Sequence, residues 1–278
     1  MYSFINSARL MVVAVALTLL TFSCRQADTT PAPDLALGST SLGNVLTAAS
    51  GRTLYFFAPD ANGNANCTGA CRDTWPVLYQ ETPLLGTNLK AADFTTITRS
   101  DGDKQTAYKG WPLYYYKNDA KAGDVAGENI GNVWYVAKPN YTILIGSGQL
   151  VGQDGKNYTS DTKEGTGTSL FLTDSLGTTL YAFANDKKNK NNYTRADLSN
   201  NPTWPLFENS VGEIPSALSK ADFSTISVFG RTQLTYKGWP LYYFGNDLFK
   251  RGSTKGVSVP RPGVWPVVYK TTADAPAN

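Results

Sequence analysis

Four aspartates and four tyrosines are the residues of this chain whose repetition invites a chemical reading. Asp60, Asp119, Asp186 and Asp247 each stand five residues after a tyrosine (Tyr55, Tyr114, Tyr181 and Tyr242), with an aromatic ring between at Phe57, Tyr116, Phe183 and Phe244. Carboxylates lining a cleft could take a cation. They could also serve as acid and base on a glycan, which needs two carboxyls about 5 to 9 Å apart. Nothing in the spacing sets up such a pair. An Asp at a strand exit is also a common turn device, accepting backbone N–H bonds or a Tyr hydroxyl. A residue type recurring at four equivalent positions follows a packing rule more readily than a catalytic one, which needs one asymmetric constellation. The expectation is that the four Asp are structural.

Three further groups could carry chemistry. Cys67 and Cys71 are four apart and read as a local disulfide; no Cys-x-x-Cys is present, and two thiols without His make a poor zinc site. The run Asp60-Ala61-Asn62-Gly63-Asn64-Ala65-Asn66 alternates oxygen-bearing side chains as calcium loops do. Its Gly63 stands two places early for an EF-hand and no Glu closes it, so an ordinary surface turn is the reading and no metal site is assigned. Trp111 and Trp239 each follow a Lys-Gly turn, where an exposed ring would stack on a sugar or on a partner's side chain. The chain has no His, which removes imidazole as base, metal ligand or haem ligand. No cofactor is expected.

The elements that must position these residues form a duplicated duplication. The phrase Leu-Tyr-x-aromatic-x-x-Asp starts at Leu54, Leu113, Leu180 and Leu241, and a Trp follows the Asp by 15 residues (Trp75, Trp134) or 18 (Trp204, Trp265). The stretch Tyr108-Lys109-Gly110-Trp111-Pro112-Leu113-Tyr114-Tyr115 returns as Tyr236-Lys237-Gly238-Trp239-Pro240-Leu241-Tyr242-Tyr243. Two homologous domains follow, residues 44–140 and 141–271, with a tail at 272–278. Short runs of Thr, Val, Ile, Tyr and Phe bounded by Gly, Asn and Asp, with no lasting 3.6-residue period, predict an all-β fold of antiparallel hairpins and meanders with short helical turns. Residues 94–99, 104–108 and 111–116 read as a meander, 45–48 with 53–57 and 170–173 with 178–183 as hairpins, and 67–75 as one or two helical turns. Within each motif strand both faces are apolar: Tyr55 and Phe57 share one, Leu54 and Phe56 the other. Such strands must be covered on both sides.

The beginning of the chain reads as an address. Arg9 precedes an apolar run from Leu10 to Phe22, too short to span a bilayer, and Cys24 follows Ser23. This is a signal segment, 1–23, ending at a lipid-modified Cys24, with residues 24–43 as a flexible tether rich in Thr, Ala, Pro, Ser and Gly. The formal charge of +3, or +2 once Arg9 is removed, comes without a Lys/Arg cluster and argues against nucleic acid as a partner.

The motif Tyr-x-(Phe/Trp/Tyr)-x-x-Asp, with Cys67-Thr68-Gly69-Ala70-Cys71 and Trp75-Pro76 downstream, resembles the bacterial lipoproteins described as a secreted repeat of unknown function. All four copies fit that motif, and the resemblance covers residues 44 to 270. The second domain departs from it in having no Cys pair before Trp204-Pro205, and Trp134 is followed by Tyr135 instead of Pro. The resemblance implies an exported lipoprotein with no established activity. The expected function is a lipid-anchored envelope module, facing periplasm or exterior, that binds or builds and does not catalyse. The alternatives are a glycan-binding protein using exposed aromatics, a carboxylate enzyme on envelope polymers and a thiol or electron-transfer accessory. Expected partners are the membrane through the lipid and an envelope glycan or protein.

Overall fold

The structure, a computed structural model, describes Met1 and residues 31–278; Cys24 and most of the signal and tether assignment lie outside the described residues. From Ala32 to Asn278 the chain forms one compact unit. It is all-β, made of small antiparallel sheets, and the duplication is carried into space.

In the first repeat β1 (Leu35–Thr40) pairs with β2 (Gly43–Ala48), and β3 (Tyr55–Phe57) pairs with a strand far along the chain. The short helix α1 (Ala70–Thr74) lies where helical turns are expected. The meander β4 (Phe94–Thr98), β5 (Lys104–Tyr108) and β6 (Trp111–Pro112) follows, and β7 (Trp134–Val136) is the partner of β3. The second repeat opens with β8 (Ile143–Gly148), β9 (Leu150–Val151), β10 (Asn157–Tyr158) and β11 (Ser169–Asp174). It closes with the meander β12 (Phe223–Val228), β13 (Arg231–Tyr236) and β14 (Trp239–Pro240). In each meander the Lys-Gly turn has positive φ at both residues, 49° and 77° at Lys109-Gly110 and 50° and 80° at Lys237-Gly238. That is the hairpin turn whose twist matches its strands.

Three local expectations are corrected. Residues 35–40, assigned to the tether, form β1, because Leu35 is fully buried and Leu37 packs on the same core. The third meander strand is only two residues long; after Pro112 the chain leaves the sheet so that Tyr114 can bridge to Tyr55 and to Val77. The pairs read as local hairpins are single bridges, Thr47 to Thr53 and Thr173 to Thr179, while β2 and β11 find their long partners in β1 and β8.

The two faces of the motif strands carry separate cores, as their alternation requires. Leu54, Phe56 and Leu113 lie in one apolar cluster, and Tyr55, Phe57, Tyr114 and Tyr116 in another. In the second repeat Leu180, Ala182 and Leu241 divide in the same way from Tyr181, Tyr242 and Phe244. The Leu-face core of the second repeat also takes in Ala58 and Tyr135 of the first. The Trp111 indole N–H donates to the Ser175 carbonyl at 3.0 Å, and the Arg251 guanidinium lies 4.8 Å from the Trp111 ring centre. The repeats are therefore joined by packing as well as by chain.

Cys67 and Cys71 form a disulfide, with Cα atoms 5.3 Å apart, that ties the loop leaving Asp60 to α1. In the second repeat Tyr193 stands seven residues after Asp186, as Cys67 does after Asp60, and its ring packs edge-on against Trp265 at 4.8 Å. A ring replaces the covalent staple. Reduction should therefore loosen the first repeat alone, by no more than about 3 kcal/mol for so short a loop; thiol labelling of the native protein that finds both cysteines free would refute the bond.

Candidate functional site

The repeated tyrosines and aspartates come together in pairs, and each pair is exchanged between half-repeats. The Tyr55 hydroxyl donates to Asp119 Oδ2 at 2.7 Å and the Tyr114 hydroxyl to Asp60 Oδ2 at 2.7 Å. In the second repeat Tyr181 donates to Asp247 at 2.6 Å and Tyr242 to Asp186 at 2.7 Å. None of these eight residues is more than 5% exposed. The exchange follows from the backbone. Tyr55 N–H donates to Tyr114 C=O at 2.9 Å and Tyr114 N–H to Tyr55 C=O at 3.1 Å, an antiparallel crossing that sends each side chain past the other strand. Tyr181 and Tyr242 repeat it at 2.9 Å in both directions.

The second oxygen of each Asp is also used. Oδ1 accepts from the backbone N–H of Asn66 (2.7 Å), Ala126 (3.0 Å), Asn192 (2.7 Å) and Lys255 (3.0 Å) for Asp60, Asp119, Asp186 and Asp247 respectively, and the Ser253 hydroxyl adds 2.6 Å at Asp247. Each carboxylate thus fixes the start of the loop that leads to its Trp. Those tryptophans meet on the same axis: Trp75 and Trp134 stack with centroids 3.7 Å apart, as do Trp204 and Trp265. The second aromatic of each motif caps the opposite half's indole, giving the four-ring stacks Phe57-Trp134-Trp75-Tyr116 (4.0, 3.7 and 4.4 Å) and Phe183-Trp265-Trp204-Phe244 (4.6, 3.7 and 4.4 Å). Stacked pairs of this kind contribute about 0.5–1.5 kcal/mol each beyond area burial. Gly127 and Gly256 lie against the assembly; a Cβ on either would come within 2.8 Å of a Trp and a Tyr ring.

Burial dominates the electrostatics. It pushes the Asp60 and Asp186 carboxyls up to about 7, against the opposing pull of their hydrogen bonds, and raises Asp119 and Asp247 as well. Burial, seconded by the facing carboxylate, raises all four tyrosines. Asp60 and its counterpart Asp186 differ in one neighbouring charge. Arg99, with a fully buried side chain, donates to the Cys67 carbonyl at 2.6 Å and to Gln105, and its positive field favours ionised Asp60. At the matching position, the last residue of β12, stands Val228, and the equivalent Gln233 instead accepts from Asn191 at 2.8 Å. Both oxygens of Asp60 are taken, Oδ2 by the Tyr114 hydroxyl and Oδ1 by the Asn66 N–H, so the carboxylate organises the Asn-rich loop from within the protein.

Trp111 and Trp239, expected as open rings, differ. Trp111 is 1% exposed, covered by the second repeat's turn at Ser175 and by Arg251, and offers no stacking face. Trp239 is partly exposed; its indole N–H donates to the Ala273 carbonyl at 2.8 Å, and its ring borders a cleft of about 530 Å³.

Residues 37–79, 95–138 and 227–269 match a family model described as a secreted repeat of unknown function. Three of the four motif copies fall in the matched segments. The copy at Leu180–Asp186 does not, and it alone has Ala182 where the others have Phe56, Tyr115 and Tyr243. No curated protein and no solved structure matches the chain.

Two outcomes test the structural role of the pairs. Tyr114→Ala and Tyr242→Ala should each cost about 3 kcal/mol or more, as buried large-to-small changes do; thermal unfolding left unchanged by both would defeat it. The raised carboxyls also set a sign with pH. Because the folded state keeps protons that an unfolded Asp sheds near 4, their stabilisation is complete below about pH 4 and is lost as pH rises to about 7. Urea unfolding across that window should show a steeper fall in stability for the native chain than for the Asp60→Asn/Asp186→Asn variant, which mimics the neutral form at both sites.

Proposed function

We propose that this chain is an exported envelope module, held to the membrane by a lipid on Cys24, that works by binding or as a structural element and not by catalysis. The observation that carries this reading is the closed pairing of all four Tyr and Asp. The hydroxyl of each leading Tyr and the carboxylate of each Asp are engaged with protein and buried, so the residues most suggestive of chemistry are occupied in holding the fold. The match to a family described as secreted supports export. The apolar run before Cys24, with the Thr/Ala/Pro-rich stretch after it, supports a lipid anchor on a tether. Among the described residues no helix is long and apolar enough to cross a membrane.

A single lipid-modified residue supplies the membrane affinity in this reading, since each buried lipid CH₂ adds about 0.8 kcal/mol. Cys24→Ala should move the protein from the membrane fraction to the soluble fraction. Fractionation with membrane association unchanged in that variant would overturn the anchored-module assignment.

A further inference from the structure

We propose that the cleft beside Trp239 is a binding site for a neutral saccharide, an inference that rests on the binding-module reading and gives it a ligand class. The two repeats supply their own control. In the first, the space next to Trp111 is filled by two rings: Phe56, whose centre is 5.7 Å from Trp111, and Tyr141, 6.4 Å from Phe56. In the second, the matching strand position holds Ala182. The stretch Trp134–Tyr141 aligns without a gap on Trp265–Thr272, so Thr272 stands where Tyr141 would be.

Backbone hydrogen bonds bear out that register: Leu46 N–H donates to Ala137 C=O and Leu172 N–H to Val268 C=O, while the Lys109 and Lys237 ammoniums donate to the carbonyls of Pro139 and Lys270. Both Ala182 and Thr272 line the cleft. Two rings that pack beside Trp111 are thus absent beside Trp239, and the cleft opens there.

What lines that volume selects the occupant. Trp239, Leu170 and Pro266 present an apolar wall, while Ser160, Thr271 and Asp161 bring hydroxyls and a carboxylate. A pyranose has the same two-sided character: its ring C–H face packs on an indole and its equatorial hydroxyls need donors and acceptors at the edge. A volume of about 530 Å³ lies within the range of small-molecule sites and holds one or two sugar units. No Lys or Arg lines the cleft, and the one carboxylate on its wall, Asp161, already pairs with the Lys163 ammonium at 3.0 Å, so an acidic sugar would find no free cation there. The occupant is therefore neutral.

The test uses the full-length protein in detergent, titrated with cellohexaose, chitohexaose and an oligogalacturonate by tryptophan fluorescence and calorimetry. A neutral oligosaccharide should bind and the polyuronate should not. Ala182→Phe restores the first repeat's ring and should weaken binding at least about tenfold. Thr271→Arg, at the exposed rim, should do the same without touching the core, and it serves if the Phe variant folds poorly. Binding of the acid oligomer alone, of none of the three, or of a neutral oligomer undiminished in Thr271→Arg would overturn the proposal. Fractionation of Cys24→Ala is read with no sugar present, so the anchored-module reading and the saccharide site can each fail without the other.

Discussion

A tyrosine hydroxyl reaching across a strand crossing to the carboxylate of the other half-repeat is the interaction on which the rest of this structure depends. A buried carboxylate is costly unless its lone pairs are satisfied. Here one oxygen takes the hydroxyl and the other takes the backbone N–H groups of the departing loop. The bond therefore fixes two things at once: the angle at which the motif strands cross, and the point at which each loop turns back toward the axis. The indoles stack because their loops start from fixed carboxylates, and the second aromatic of each motif finds the opposite indole because the strands cross at Tyr. Neither half can satisfy its own Tyr and Asp, so the smallest self-sufficient unit is a pair of motifs.

Around that frame the repeats have diverged where the frame leaves room. The first holds its long loop with a disulfide and lays a buried guanidinium behind Asp60; the second uses the Tyr193 ring and Val228. The disulfide and the Tyr193 ring each pack in the apolar cluster that holds their repeat's indoles, and of Asp60 and Asp186 only Asp60 has a positive charge brought to it. The alternating face with Leu54, Leu113, Leu180 and Leu241 is where the repeats meet. There the first is filled with rings and the second is left open beside Trp239.

Much of this was legible in the residues. Period-two alternation gave two apolar faces for the motif strands, Gly after Lys gave the hairpin turns, and Asp at each strand exit gave a capping role. What the sequence could not supply was partnership at a distance. Nothing near Tyr55 says that its acceptor is Asp119 and not Asp60, because that choice is made by the crossing of strands far apart in the chain. Trp111 looks like Trp239 from its neighbours; its burial comes from Ser175 and Arg251, both in the other repeat. β1 was hidden by a Thr-, Gly- and Ser-rich composition in which only Leu35 and Leu37 mark the inward face. Arg99 ends a strand in a sequence that gives no sign of the carbonyl it will meet.

The Lys-Gly-Trp corner has one more consequence. In the first repeat its indole N–H and ammonium are answered by Ser175 and Pro139, the entry to the next repeat; in the second they are answered by Ala273 and Lys270, in the closing stretch of the chain. The corner is thus a socket, and the last residues are its stopper. Ala275 N–H donates to Lys237 C=O and Lys188 N–H to Pro276 C=O, so the stopper is seated on both sides. In both repeats the corner is thus held by chain that comes after its own meander, so a change in that later stretch is felt at the tryptophan.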